Sequence, residues 1–550
     1  MTHSRLVWFN LLFVVFAMSC ANRIPLDGGL RDAISPKIVA ATPDSAQLNF
    51  NGKMLYFTFD EYVELKDGGT SIAFSPPLKK NPTYVLKKKT LEIKLEEPLD
   101  ENTTYNISFG KSITDLNEGN VFKDKAWVFS TGPILDSLSL SGKVIETING
   151  KPAANVKAML YTALTDSTPF KTSPRYFALT DENGQFTINN IKQGQYFIFV
   201  QKDENGNLLL DNPDELIAFA TLAIQIDSSI TQVKSLQAFS NIPAKQKLLK
   251  KSFEIPGKLI LKTALPLKNP TFRLLKPFEQ NITNWTAPLA NDSILLFLPR
   301  FQADSLLLEV KSNDYNDTIS MNLRSAFVKT SLRKGGGNID TSFVVSNSLV
   351  SNSLAEKDTL FIYYNRPLYQ LNKEKLILTK DTIAVPFDMA LIKSNLVSAV
   401  TFKKIPGDKF TLLALPEAYT DEYGRTNDTI KTNFKVSTEK DIGSITLRLI
   451  GWPENNDYVL QMLGAKGKVV KSENVKSRTK FVFEGLQPGL YQFRLVVDIN
   501  KDNRWTSGSF ERRKQPEQIF ILSEELTVRP SWDLETEWKF QTDQIQSLKK

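Results

Sequence analysis

Two stretches of this chain, residues 186–207 (FTINNIKQGQYFIFVQKDENGN) and residues 481–502 (FVFEGLQPGLYQFRLVVDINKD), are versions of one another. They overlay without a gap at a constant offset of 295 residues (481 − 186 = 295). The overlay matches Phe186 with Phe481, Gly194 with Gly489, Tyr196 with Tyr491, Asp203 with Asp498 and Asn205 with Asn500. Each copy reads as a strand, a Gly-containing turn, an aromatic strand and an acidic Asp-x-Asn loop. In the second copy Tyr491, Phe493, Leu495 and Val497 share one strand face, and Gln492 and Arg494 point the other way. Solenoid periods are ~20–50 residues, so a repeat this wide marks duplicated domains.

At ~150 residues per domain, 550 residues allow three or four domains, and the spacing of short strands raises the expectation to five. A hydrophobic content of 41% and a charged content of 23% suit packed, folded cores. The formal charge is +8, with Lys and Glu interleaved as in LKKKTLEIKLEE (86–97). A nucleic-acid groove needs clustered Lys and Arg among stacking aromatics, so no nucleic-acid partner is expected. A solvated basic surface is the preferred reading of the excess, with attraction to anionic glycans or lipid headgroups as the alternative.

The sole cysteine, Cys20, and the sole histidine, His3, both lie in the first twenty residues. His3 and Arg5 form a short positive region before a largely apolar run, Leu6 to Met18. Thirteen residues are too few for a membrane-spanning helix, which needs ~20, and suit a secretory signal over residues 1–20. The sequence Ala17-Met18-Ser19-Cys20 resembles a bacterial lipobox, which implies that Cys20 is lipidated and becomes the first mature residue. With no other long apolar stretch, that lipid is the expected membrane anchor. The mature chain then lacks histidine and a free thiol. Ser-His-Asp and Cys-His catalysis, His- or Cys-ligated zinc and imidazole acid–base chemistry are thereby excluded. No catalytic residues and no organic cofactor are expected.

Residues 21–36 (ANRIPLDGGLRDAISP, from Ala21) form a polar tether. Over 37–132, Leu55, Phe57 and Phe59, then Leu91, Ile93 and Leu95, then Tyr105, Ile107 and Phe109 alternate with other residues, and Lys66-Asp67-Gly68-Gly69 and Pro76-Pro77 mark turns. Short alternating strands with frequent turns predict a sandwich. The lipobox, the segment SPKIVAATPDSAQLNFNGKMLYFTFDEYVELKD, the segment LDENTTYNISFGKSITDLNEGN and the closing WVFSTG resemble the N-terminal immunoglobulin-like domain of Bacteroidetes lipoproteins, a type also found in surface-layer proteins. That resemblance implies an Ig-like sandwich on an envelope lipoprotein and carries no catalytic motif.

Residues 138–240 open LSGKVIETINGKPAANVKAMLY and hold the first copy of the repeat; the series resembles the transthyretin-like fold of carboxypeptidase regulatory domains. A β-sandwich follows at 247–325, and Gly335-Gly336-Gly337 reads as a flexible link. Residues 340–437 read as a second Ig-like domain. Leu360 to Leu368 (LFIYYNRPL) parallels Leu55 to Val63 (LYFTFDEYV), and Asp421 parallels Asp115. Residues 441–540 hold the second copy and form a second transthyretin-like sandwich. The fold class expected is all-β, a multidomain string of Ig-like and transthyretin-like sandwiches.

The acidic loop after each repeat is the candidate site. Asp203, Asn205, Asn207, Asp211 and Asp214 place oxygens at spacings that suit a hard cation such as Ca²⁺, as Asp498, Asn500 and Asp502 do in the second copy. The match to an EF-hand loop is incomplete, and a β-turn capped by Asp and Asn is the preferred reading. Asp60-Glu61, Asp115 with Glu118, and Glu422 are the carboxylates that a glycosidase-like pair would use, although ITDLNEGN reads better as a turn. Trp505 and Trp532 are candidates for sugar stacking. The function expected is a non-catalytic, monomeric scaffold or interaction protein, anchored by lipid at the outer membrane, with envelope proteins or glycans as partners. The alternative is a carbohydrate-binding lipoprotein of a glycan-uptake system. Ala21, Asn22 and Arg23 form no acidic export signal, which favours the periplasmic face.

Overall fold

A computed structural model describes residues 32–540 except 70, 124–125, 213–214, 228–229, 256, 284, 287–292, 300–302, 323–342, 393, 453–456 and 477. The signal, Cys20, Gly335-Gly336-Gly337, Asp214 and the last ten residues lie outside the described set. The described chain is built from β-strands, and its one α-helical turn among the described residues is Thr168–Lys171.

Among the described residues, five hydrophobic cores follow one another along the chain. They draw on residues 50–129, 140–238, 259–321, 354–436 and 445–540. In the first, the strand order Ile38–Thr42, Met54–Phe59, Thr90–Lys94, Thr83–Lys87 faces the order Ala73–Ser75, Thr104–Ser108, Trp127–Ser130. Leu55, Phe57, Phe59, Leu91, Ile93, Tyr105, Ile107 and Phe109 are all buried between the sheets, as their alternation requires. The third module has two four-stranded sheets around Leu259, Leu261, Leu296 and Leu308.

The fourth module repeats the first at the level of register. Val63 pairs with Asp115 in one, and Leu368 pairs with Asp421 in the other. The second and fifth modules repeat each other more closely still. Phe199, Val200 and Gln201 pair with Phe219, Ala218 and Ile217; Arg494, Leu495 and Val496 pair with Ile521, Phe520 and Ile519. Gly194 and Tyr196 pair with Ile226 and Ile224, and Gly489 and Tyr491 pair with Val528 and Leu526. The shared tyrosines make the same bond: Tyr196 Oη donates to Lys192 O at 2.8 Å, and Tyr491 Oη donates to Gln487 O at 2.9 Å. Each closes the turn before its own strand.

The modules are joined by specific polar contacts. Between the first and second, Arg175 reaches Asp100 and Thr103, both at 3.2 Å, and Asn106 Nδ2 donates to Asn190 Oδ1 at 3.2 Å. Between the third and fourth, the Tyr423 hydroxyl donates to Leu298 O, and a side chain at Gly257 (φ 81°) would collide with that hydroxyl.

Candidate functional site: the acidic loops and the seam between the repeats

Asp203 lies two residues past the strand Gly194–Gln201 and folds the loop back on itself. Its Oδ1 accepts from Gly206 N at 2.8 Å, its Oδ2 accepts from Leu208 N at 2.8 Å, and Lys157 Nζ sits 2.7 Å from that same Oδ2. Burial pushes the Asp203 carboxyl up, but Lys157 and the two backbone N–H groups outweigh it and hold the carboxyl below its ordinary range. Asn205 Nδ2 donates to Asp211 Oδ1 at 3.0 Å, and Asn207 Nδ2 donates to Asp211 Oδ2 at 2.6 Å. Of the five residues expected to ligate a cation, Asn205, Asn207 and Asp211 are bonded to one another and Asp203 is tied to backbone N–H groups and Lys157, so that two amide N–H groups and an ammonium are turned toward the carboxylates. An oxygen cage for Ca²⁺ needs both amides rotated and Lys157 displaced. Among the described residues no group of three or more His, Cys, Asp or Glu side chains converges to hold a metal.

The second copy follows the same plan. Asp498 accepts from Asp502 N at 3.1 Å and from Asn503 N at 2.9 Å, and Asn500 Nδ2 donates to Asp502 Oδ2 at 3.1 Å. A buried glutamate completes both loops: Glu215, which follows the acidic run of the first copy, and Glu517, which the sequence did not single out. Glu517 Oε1 accepts from Ile499 N at 2.9 Å and its Oε2 accepts from Thr506 N at 2.7 Å. Glu215 accepts from Gln201 Nε2 at 2.9 Å in the first copy. Burial pushes both glutamates up, against the backbone N–H groups that face them.

The two copies differ in length between these carboxylates. Asp203 to Glu215 spans 12 positions and Asp498 to Glu517 spans 19, so the second loop carries seven extra residues. Those residues reach across to the first copy. Phe510 is fully buried, and its ring lies 5.2 Å from Phe199 and 5.3 Å from Phe219, edge-on to both. With Met159, Tyr161, Leu210, Ile217 and Phe239 these rings form a sixth core, on the outer face of the first repeat's sheet. Polar bonds rim it. Ile242 N donates to Gly508 O (2.9 Å), Phe510 N donates to Asn241 Oδ1 (2.9 Å), Ser507 Oγ donates to Ser240 O (2.6 Å) and Gln515 Nε2 donates to Phe219 O (2.9 Å). A side chain on Gly508 would lie 2.6 Å from the Phe239 ring, so the approach depends on glycine.

The opposite face of the second repeat is covered in turn. Arg494, which alternation places away from its own core, is only 9% exposed. Its Nε donates to Gln461 Oε1 at 2.7 Å, and its Nη1 donates to Ile148 O of the first repeat at 3.1 Å. Burial lowers its affinity for its proton from the usual guanidinium range. The sugar-stacking candidates part company here. Trp505 lies in the seam with its Nε1 donating to Glu517 O at 2.9 Å, whereas Trp532 is half exposed with the Arg529 guanidinium 4.7 Å over its ring.

Of the candidate carboxylates, Asp115 of the first module acts as a loop cap, as does its counterpart Asp421 in the fourth. Asp115 accepts from the backbone N–H groups of Asn117, Glu118, Gly119 and Asn120 at 2.6–3.0 Å. Asp421 accepts from Tyr423 N and Arg425 N, both at 2.8 Å. Where the first module has Glu61, the fourth has Arg366 (366 − 61 = 305), fully buried, 3.8 Å from Asp421 Oδ2 and stacked over Tyr423. Burial raises the Glu61 carboxyl, and Asp115, Asp60, Asp32 and Glu118 raise it further.

No curated protein matches the chain. Among solved structures, BcpA, the major pilin subunit of Bacillus cereus, aligns at 11% identity over 73% of this chain and 98% of its own, with a TM-score of 0.14. The S-layer protein SbsC aligns at 12% identity over 90% of this chain and 67% of its own, with a TM-score of 0.14. An E. coli alpha-2-macroglobulin aligns at 11% identity over 90% of this chain and 34% of its own, with a TM-score of 0.15. Residues 32–131 match a family directly, and that stretch of the chain is a bacterial Ig-like domain.

Proposed function

We propose that this chain is a non-catalytic lipoprotein of the bacterial cell envelope, a folded-back scaffold of β-sandwich modules. The observation that carries the reading is the seam. The polar residues shared by the repeats cap their loops, and the longer loop ties one repeat to the other through Phe510. Asp115, Asp203, Asp421 and Asp498 are each engaged by backbone N–H groups of their own loops. The apolar run before Cys20 supports a lipid anchor, and the absence of acidic residues at positions 21–23 supports the periplasmic face of the outer membrane.

The test is metabolic labelling of cells with an alkyne fatty acid. The wild-type chain takes the label and sediments with membranes, while Cys20→Ser is unlabelled and soluble. Label retained by Cys20→Ser would defeat the anchor.

A further inference from the structure

Docking of the repeats brings together two basic segments that lie far apart in the sequence. Residues 244–251 (AKQKLLKK) contain four lysines and no acid, and residues 511–514 (ERRK) contain three cations and one acid. Arg512 Nη2 donates to Ala244 O at 2.5 Å, which joins the segments directly. Glu511 is occupied by Asn241 Nδ2 at 3.3 Å, and Arg513 by Leu164 O at 2.7 Å and by the Phe510 ring. Lys251 donates to Ser320 O. Lys245, Lys247, Lys250, Arg512 and Lys514 are left exposed, and among the described residues none of the five has a carboxylate at ion-pair distance. Lys250 also stands opposite Lys262 in the strand register.

We propose that this ridge binds an acidic polysaccharide. The five cations stand on flexible stems along roughly 15–20 Å of extended chain, without a buried polar group to grip a single small ion. That arrangement suits a polymer with repeated negative charges. A polysaccharide is favoured over the membrane surface because neither segment exposes a large apolar side chain that could enter a bilayer. The inference adds a ligand class to the scaffold and does not depend on Cys20.

The test uses the full mature chain with Cys20→Ser and follows binding by fluorescence anisotropy. The probes are labelled polygalacturonate and dextran sulfate, neutral dextran and vesicles containing phosphatidylglycerol. Binding to both acidic polymers, weakening with salt and absent with dextran, is expected. Lys245→Glu/Lys247→Glu/Arg512→Glu should weaken it at least tenfold. Lys53→Glu/Lys409→Glu/Lys476→Glu, with the same change in net charge on exposed positions elsewhere, should weaken it less than twofold. Equal losses in the two triple variants, or no binding to either acidic polymer, would overturn the proposal. Binding to the vesicles alone would transfer the ridge to lipid and equally overturn it. Circular dichroism of each variant separates loss of the ridge from loss of the fold.

Discussion

Phe510 concentrates the energetics of the seam in one side chain. Truncating a fully buried phenylalanine in a well-packed site costs about 3–5 kcal/mol. Phe510→Ala is therefore expected to speed amide hydrogen exchange across Met159–Tyr161 and Ile217–Phe219, with no change at Leu447 or Phe481 in the remote core of the second repeat. Unaltered exchange at the first two stretches would show that the seam does not rest on this ring. Asp441, at the entry to the fifth module, gives a pH signature. Lys435 Nζ at 2.6 Å and the Thr438 N–H and hydroxyl hold its carboxyl at about 2. Its folded pKa is depressed, so its stabilisation is full above the unfolded value near 4 and is lost as pH falls toward 2. Asp441→Asn should lower stability at pH 7 and flatten the loss between pH 4 and 2, as read by denaturant midpoints.

At the scale of elements, alternation made the core faces of the first module legible, and the spacing of Tyr, Asp and Asn marked the shared turns. The Asp115 turn was equally readable, because an Asp followed by Asn, Glu and Gly is a capped loop by composition. The seam was not. Period-two alternation identifies one buried face and leaves the other to solvent, so Arg494 reads as exposed when a second module in fact covers it. The run Tyr458–Leu463 (YVLQML) carried the missing signal, since apolar residues of both parities mark a strand buried on two sides, and all six are buried. Phe510 sits in a polar stretch (TSGSFERRK), and the jump of the offset from 295 to 302 was the other trace. The basic ridge was illegible for a further reason: its halves are 260 residues apart and meet only through folding. The acidic loops yield a prediction of their own. With Lys157 on Asp203 and two amides donating to Asp211, titration of the mature chain with Ca²⁺ to millimolar concentration should give no binding heat. Saturable heat abolished by Asp203→Asn would reverse that expectation.

Across the whole molecule, the expected string of modules is doubled back, and scattering in solution reports this directly. Deleting residues 504–510, to match the length of the first repeat's loop, removes Gly508 and Phe510 while leaving both repeats' own cores intact. The maximum dimension from small-angle X-ray scattering should increase in the deletion variant; equal dimensions would mean that other contacts hold the fold-back. The bond from Ile242 N to Gly508 O also closes the chain into a loop that contains the third and fourth modules. Tension applied between the two ends of the protein would pass from the second module straight to the fifth and bypass everything enclosed. The enclosed modules would feel a pull only after Phe510 had left its pocket. The seam would thus work as a mechanical fuse, holding a long reserve of slack out of the line of force until a threshold load is reached.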